Sequence, residues 1–133
     1  MKQAKVLDTF PLVRFFKDEP GADAVEKLLA ASRHGRLELL ISEINIGELY
    51  YGIARKAGRE RAESVVASLD LFQVTRLPTT WELVLAAARL KAEYALSYAD
   101  CFAAACAIER QVALVTGDPE FKQVERLVSI EWV

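Results

Sequence analysis

Ser97-Tyr98-Ala99-Asp100-Cys101-Phe102-Ala103-Ala104-Ala105-Cys106-Ala107-Ile108-Glu109-Arg110, followed closely by Val112-Ala113-Leu114-Val115-Thr116-Gly117-Asp118-Pro119, is the stretch that decides the fold. Ser97 and Asp100 have the Ser-x-x-acid spacing that starts a helix. From Cys101 to Ile108 that helix is apolar almost all round, so it is predicted to be buried rather than half-exposed. Val112 to Val115 is then a short all-apolar strand, stopped by Thr116-Gly117-Asp118-Pro119. A strand without polar alternation has both faces covered, as in a parallel sheet layered with helices.

The same alternation runs outward from this stretch. Ala4 to Leu7 reads as a first strand, and Pro11 opens a helix that stops at Lys17. Ala22 to His34 is an amphipathic helix ended by Gly35, and Leu37 to Ile41 a second strand. Ser42 caps a helix reaching Gly58, and Arg59 to Leu71 makes another. Phe72 to Val74 is predicted as a strand, and Thr79 or Thr80 as the cap of a helix from Trp81 to about Tyr94. A short helix from Glu120 and a strand from Val128 to Trp132 close the chain. This pattern predicts an α/β fold, a three-layer α/β/α sandwich with a mainly parallel central sheet, in one domain over residues 1–133.

Composition narrows the function. Of 133 residues, 17 are Lys or Arg and 19 Asp or Glu, a formal charge of −2 that leaves no basic excess for binding nucleic acid by bulk charge. One His and two Cys cannot build a four-ligand Cys/His zinc site. His34 precedes Gly35 at a helix C-terminus, where a cation is favourable, so it reads as structural rather than catalytic. Cys101 and Cys106 sit five apart on one helix, cannot readily pair, and point to free thiols in a reducing cytoplasm. No run approaches the roughly 18 apolar residues of a membrane span.

Four acids stand where burial is expected. Asp8 follows Val6-Leu7 at a strand's C-terminal end, and Asp118 stands three residues beyond Val115. In open α/β sheets ligands bind outside those ends. Glu48 shares a helical face with Ile41, Ile44 and Tyr51, and Asp100 opens the buried helix. Three have a specific structural reading, Asp8 and Asp100 as helix caps and Asp118 as a turn former, while Glu48 is the hardest to explain that way. Buried carboxylates without partners are costly, and four of them without matching cations suggest a shared hard cation such as Mg²⁺.

The blocks Val6-Leu7-Asp8-Thr9, Ser42-Glu43-Ile44-Asn45-Ile46-Gly47-Glu48-Leu49, Tyr98-Ala99-Asp100-Cys101-Phe102-Ala103-Ala104-Ala105 and Leu114-Val115-Thr116-Gly117-Asp118-Pro119-Glu120-Phe121 resemble the motif blocks of PIN-domain ribonucleases in order and spacing. After Asp8-Thr9 that family commonly has a small or polar residue, where this chain has Phe10-Pro11. A chain of this length most resembles the VapC-type toxins of toxin–antitoxin pairs. The resemblance implies a Mg²⁺- or Mn²⁺-dependent endoribonuclease with Asp8, Glu48, Asp100 and Asp118 as catalytic and metal-binding residues. Thr116, Thr9 and Glu120 are the expected supporting residues, and Arg14, Lys17, Arg55 and Lys122 the candidate contacts to RNA phosphates. It also implies an RNA substrate, a cognate antitoxin, a homodimer and a cytoplasmic location. The surface around Leu49, Tyr50, Tyr51 and Ile53 is the expected anchor for a partner helix or second copy, or else part of this chain's own core.

Other readings remain open at this point: a catalytically silent PIN-like protein-binding module, or a housekeeping PIN nuclease without an antitoxin. A haloacid-type phosphatase needs Asp-x-Asp after its first strand, and this chain has Asp8-Thr9-Phe10. A receiver domain needs paired acids at one strand end and a Lys after a late strand, but the Asp8 region has no such pair and no Lys follows Val128 to Trp132.

Overall fold

The computed structural model describes residues 2–133. Its elements run β1 (Gln3–Leu7), α1 (Thr9–Phe16), α2 (Ala22–Arg33), β2 (Leu37–Ser42), α3 (Glu43–Ala57), α4 (Arg59–Leu71), β3 (Thr75–Leu77), α5 (Trp81–Glu93), α6 (Tyr98–Arg110), β4 (Ala113–Thr116), a 3₁₀ turn (Pro119–Val124) and β5 (Ile130–Trp132). The five strands form one parallel sheet in the order β3-β2-β1-β4-β5. The chain leaves β1 toward β2 on one side and returns beside it as β4, so β1 and β4 flank the switch point where such sheets leave a crevice.

Alternation along the strands divides the interior in two. Val6, Leu40 and Leu114 face a core built with α5 and α6, while Leu7, Leu39, Ile41 and Val115 face one built with α1 to α4. The small Ala103, Ala104, Ala105 and Ala107 let α6 lie close against the sheet, and both thiols of α6 are buried and unpaired. Burial raises both thiol pKa values, that of Cys106 to about 11, which keeps them protonated and unreactive. Three layers and an all-parallel sheet match the predicted architecture.

Several boundaries differ, each for a local reason. Helix α1 begins at Thr9 rather than Pro11, because Pro11 fits equally well later in the first turn, where N–H groups have no helical partner. Phe72 to Val74 is not a strand. Gln73 is left-handed (φ +57°), with its N–H on the Asp70 carbonyl and that of Val74 on Leu69, so these residues cap α4 and the strand starts at Thr75. Val128 bonds back to Val124 and fills the core, which delays β5 to Ile130. Thr80 rather than Thr79 caps α5, accepting from Leu83 N–H. The expected apolar anchor on α3 is not a surface: Leu49 and Ile53 are core residues beneath α4, and Tyr50 donates to Glu63, leaving Tyr51 exposed. No helix among the described residues is long and apolar enough to cross a membrane.

Candidate functional site

A cleft of about 430 Å³ opens at the C-terminal ends of β1 and β4, lined by acids from four separate elements. Asp8 enters where β1 ends, and its own N–H bonds the Val115 carbonyl, which fixes it beside β4. It occupies the N-cap position of α1, yet its side chain makes no capping bond. The capping explanation for Asp8 therefore fails. Asp100 stands in the first turn of α6 behind the true cap, Ser97, whose hydroxyl accepts the Asp100 N–H at 3.1 Å.

Glu48 projects from the middle of α3 and is half-buried, less than the core position expected of it. Asp118 is also half-buried and caps the 3₁₀ turn, its Oδ1 accepting from Glu120 N–H at 3.0 Å. The turn-forming role read from Asp118-Pro119 is thus real and occupies one of its two oxygens. Glu120 is exposed but reaches the cleft.

One oxygen each of Asp8, Glu48 and Asp100 lie within 4.8 Å of one another, and the same holds for Asp100, Asp118 and Glu120. Asp100 belongs to both groups. Asp8 and Asp100 are only 2% and 8% exposed. Burial, the Asp100 charge and the Glu48 charge push the Asp8 carboxyl up from 3.8 to about 7, against the lowering effect of Thr116. Burial and the Glu48 charge, with smaller contributions from Asp118 and Glu120, carry Asp100 to about 6. The ion pairs among the described residues are Lys5–Glu131 and Arg110–Glu109, and neither involves a cleft acid.

The supporting residues are placed by hydrogen bonds. Thr116 Oγ1 donates to Asp8 Oδ2 at 2.9 Å and accepts the Asp118 N–H at 3.1 Å, so one hydroxyl orients two acids. Thr9 Oγ1 donates to the Asn45 carbonyl at 3.0 Å. Asn45, not singled out among the site residues, is the tie between elements: its amide donates to the Ala99 carbonyl at 3.1 Å and its Oδ1 accepts from Ser42. That junction holds the starts of α1, α3 and α6 together, and with them Asp8, Glu48 and Asp100. Its sequence signal was an Asn three residues after a capping Ser, which reads as no more than a helix start.

None of the four candidate phosphate contacts lines the cleft. Arg14 donates to the Pro20 carbonyl and lies 4.5 Å over the Phe10 ring, and Arg55 lies 5.0 Å over Tyr51. Lys17 stands beside Lys56, whose proximity lowers its pKa, and Lys122 is exposed on the 3₁₀ turn.

A hard divalent cation fits these residues. Asp8 Oδ1 is a buried oxygen with no hydrogen-bond partner, and its nearest ionisable neighbours are acids. An all-oxygen donor set of converging carboxylates suits Mg²⁺ or Mn²⁺ and offers nothing to a thiophilic ion.

The PIN domain family matches residues 5–127 of this chain. Among solved structures, the fold is similar to VapBC2 from Rickettsia felis bound to a DNA fragment from their promoter (TM-score 0.73, 21% identity, 97% of this chain and 98% of that one). DNA-bound VapBC from Salmonella typhimurium is similar to the same degree (0.73, 22%, 98% of each chain). So is VapC20 from Mycobacterium tuberculosis, a sarcin-ricin loop cleaving toxin (0.72, 17%, 90% and 94%). At these identities the likeness is one of fold. No curated protein matches the sequence.

Proposed function

The chain belongs to the PIN-domain family, and from that premise we propose that it is a Mg²⁺- or Mn²⁺-dependent endoribonuclease, the toxin of a toxin–antitoxin pair. The observation that carries the reading is the acid cluster itself: carboxylates from four elements converge, and a buried Asp8 oxygen is left without a partner. In this reading residues 1–133 act as one nuclease domain.

Asp8 and Asp100 hold the cation, with Glu48 and Asp118 completing the set. A bound divalent ion would supply Lewis-acid polarisation of a phosphodiester oxygen and a lowered pKa for a water, which loses a proton to become the nucleophile at phosphorus. Thr116 fixes the Asp8 carboxylate through Oδ2 and so keeps Oδ1 free. Glu48 and Asp118, half in solvent, face the open side of the cleft, where they can position the attacking water. No side chain forms a covalent intermediate. The similarity of fold to chains from VapBC complexes supports the toxin role and a protein antitoxin as partner; a cytoplasmic location and a homodimer belong to the same proposal.

The test has two arms. The purified protein, incubated with mixed RNA oligonucleotides at near-neutral pH, should cleave with Mg²⁺ or Mn²⁺ and stop with excess chelator; cleavage that survives full chelation would overturn the metal mechanism. Induced expression of the wild type should arrest growth where Asp100→Asn does not, and the product of an adjacent gene should relieve the arrest. RNase activity without toxicity would leave a housekeeping PIN nuclease.

A further inference from the structure

Two helices bring the same side-chain series to the cleft. On α1, Phe10 follows Asp8 by two residues and carries the Arg14 guanidinium over its ring, one helical turn on. On α3, Tyr51 follows Glu48 by three residues and carries Arg55 in the same way. Both rings line the cleft beside the acids, and α1 packs against α3. Neither ring belongs to either hydrophobic core, and Phe10 is half-buried. Tyr51 keeps 49% of its surface exposed while Leu49 and Ile53 are buried.

Directly after Tyr51, and four residues on from Glu48, α3 has a glycine. Gly52 sits inside the helix, where Gly costs stability relative to Ala. Its backbone does not need it, for its φ is ordinary, and a Cβ there would meet nothing within 4 Å. Gly52 lines the cleft, so what its missing side chain leaves open is space beside an exposed aromatic face.

Resting on the nuclease reading, we propose that Phe10 and Tyr51 are positioning residues that stack two unpaired bases of a single-stranded RNA next to the acidic cluster, with Gly52 leaving room for the nucleotide on Tyr51. Each guanidinium covers one face of its ring and strengthens it by cation–π attraction, leaving the remaining surface to a base. Such stacking supplies what the lining lacks: the cleft has no basic side chain, so charge alone does not seat a polyanion there. A duplex is excluded from this grip because its bases already stack on one another.

Steady-state cleavage of a single-stranded oligoribonucleotide in Mn²⁺, with stopped-flow fluorescence of 2-aminopurine placed beside the cleaved bond, tests the assignment. Tyr51→Leu and Phe10→Leu should each raise KM about tenfold or more, and each should weaken the early quench when the 2-aminopurine is placed on its own side of the cleaved bond. Their Mn²⁺ affinity should stay at the wild-type value, and Tyr51→Phe should behave as wild type. Gly52→Ala is the variant a folding defect cannot imitate: its melting temperature should hold or rise while KM rises and the quench weakens. Unchanged KM and quench in Tyr51→Leu and Gly52→Ala, with a wild type that cleaves, would overturn the stacking role and leave the nuclease standing. A wild type that cleaves no RNA under any metal would overturn both.

Discussion

The Thr116 hydroxyl donates to one oxygen of Asp8 at 2.9 Å, and the other Asp8 oxygen is buried without a partner. The pair joins the ends of β1 and β4, neighbours in the sheet but 108 residues apart in sequence. A hydroxyl that orients a ligating carboxylate typically accounts for 10- to 100-fold in metal affinity. Thr116→Val keeps the shape and removes both of its bonds, to Asp8 and to the Asp118 N–H. Mn²⁺ titrations should show affinity weakened by about that factor, with Thr116→Ser near wild type. A Val variant with unaltered Mn²⁺ affinity would show that Thr116 serves only the fold.

The metal-free protein should lose stability as pH rises from about 4 to about 7. The Asp8 carboxyl titrates near 3.8 when unfolded and about 7 when folded. In that window the unfolded chain has released a proton the folded one retains, so raising pH favours unfolding. Below about pH 4 both states are protonated and the penalty vanishes; above pH 7 it is complete, at most about 4 kcal/mol. Asp100, raised to about 6, acts in the same direction, and the two titrate as a coupled pair. Melting curves in chelator should fall across this range. Saturating Mn²⁺, which displaces those protons, should raise the curve most at pH 7 and above, by about 3 kcal/mol at a hundred times Kd.

The layers and the C-terminal half of the candidate site were legible because periodicity and motif agreed there: a helix apolar all round with an acid in its first turn, and a strand apolar throughout with an acid just past its end. Strand order was not, since parallel pairing leaves no local trace in Val6 or Leu114, whose partners are set by crossovers. Phe72 to Val74 misled because an apolar triplet serves equally as a strand or as a helix cap, and only the left-handed Gln73 decides. Glu48 was read as facing inward from its helical face alone, but α3 turns that face to the cleft rim. Asn45 escaped because its role lies in bonds to Thr9 and Ala99, 36 and 54 residues away. The shared pairing of Phe10 with Arg14 and Tyr51 with Arg55 needed the two helices side by side.

Neutralising Asp8 should separate metal binding from folding. Asp8→Asn removes a buried charge that Asp100 and Glu48 repel, so at pH 8 in chelator its melting temperature should match or exceed the wild type. At about pH 3, where the wild-type carboxyl is protonated in most folded and unfolded molecules alike, the two should nearly coincide. The Mn²⁺-induced rise should be lost. A marked drop in melting temperature at pH 8 without metal would instead give Asp8 a structural role.

Gly117 and Gly47 should respond to Ala in opposite directions. At Gly117 a Cβ would lie 2.6 Å from the Val133 carbonyl oxygen and 2.7 Å from Phe10 Cε1. The first is backbone held by the Val133–Thr116 bond, so it cannot yield freely, and the second is a wall of the cleft. Overpacking of this kind costs roughly 1–3 kcal/mol. Gly47 lies within α3 with nothing inside 4 Å of the added carbon, and relief of helix entropy should stabilise by about 0.5–1 kcal/mol. Denaturant unfolding measures both. Phe10→Ala added to Gly117→Ala should recover part of the loss but not all, because the Val133 oxygen remains. Full recovery would place the whole clash on the ring, and no loss in Gly117→Ala alone would mean that the contact of β4's exit with the chain's last residue is loose.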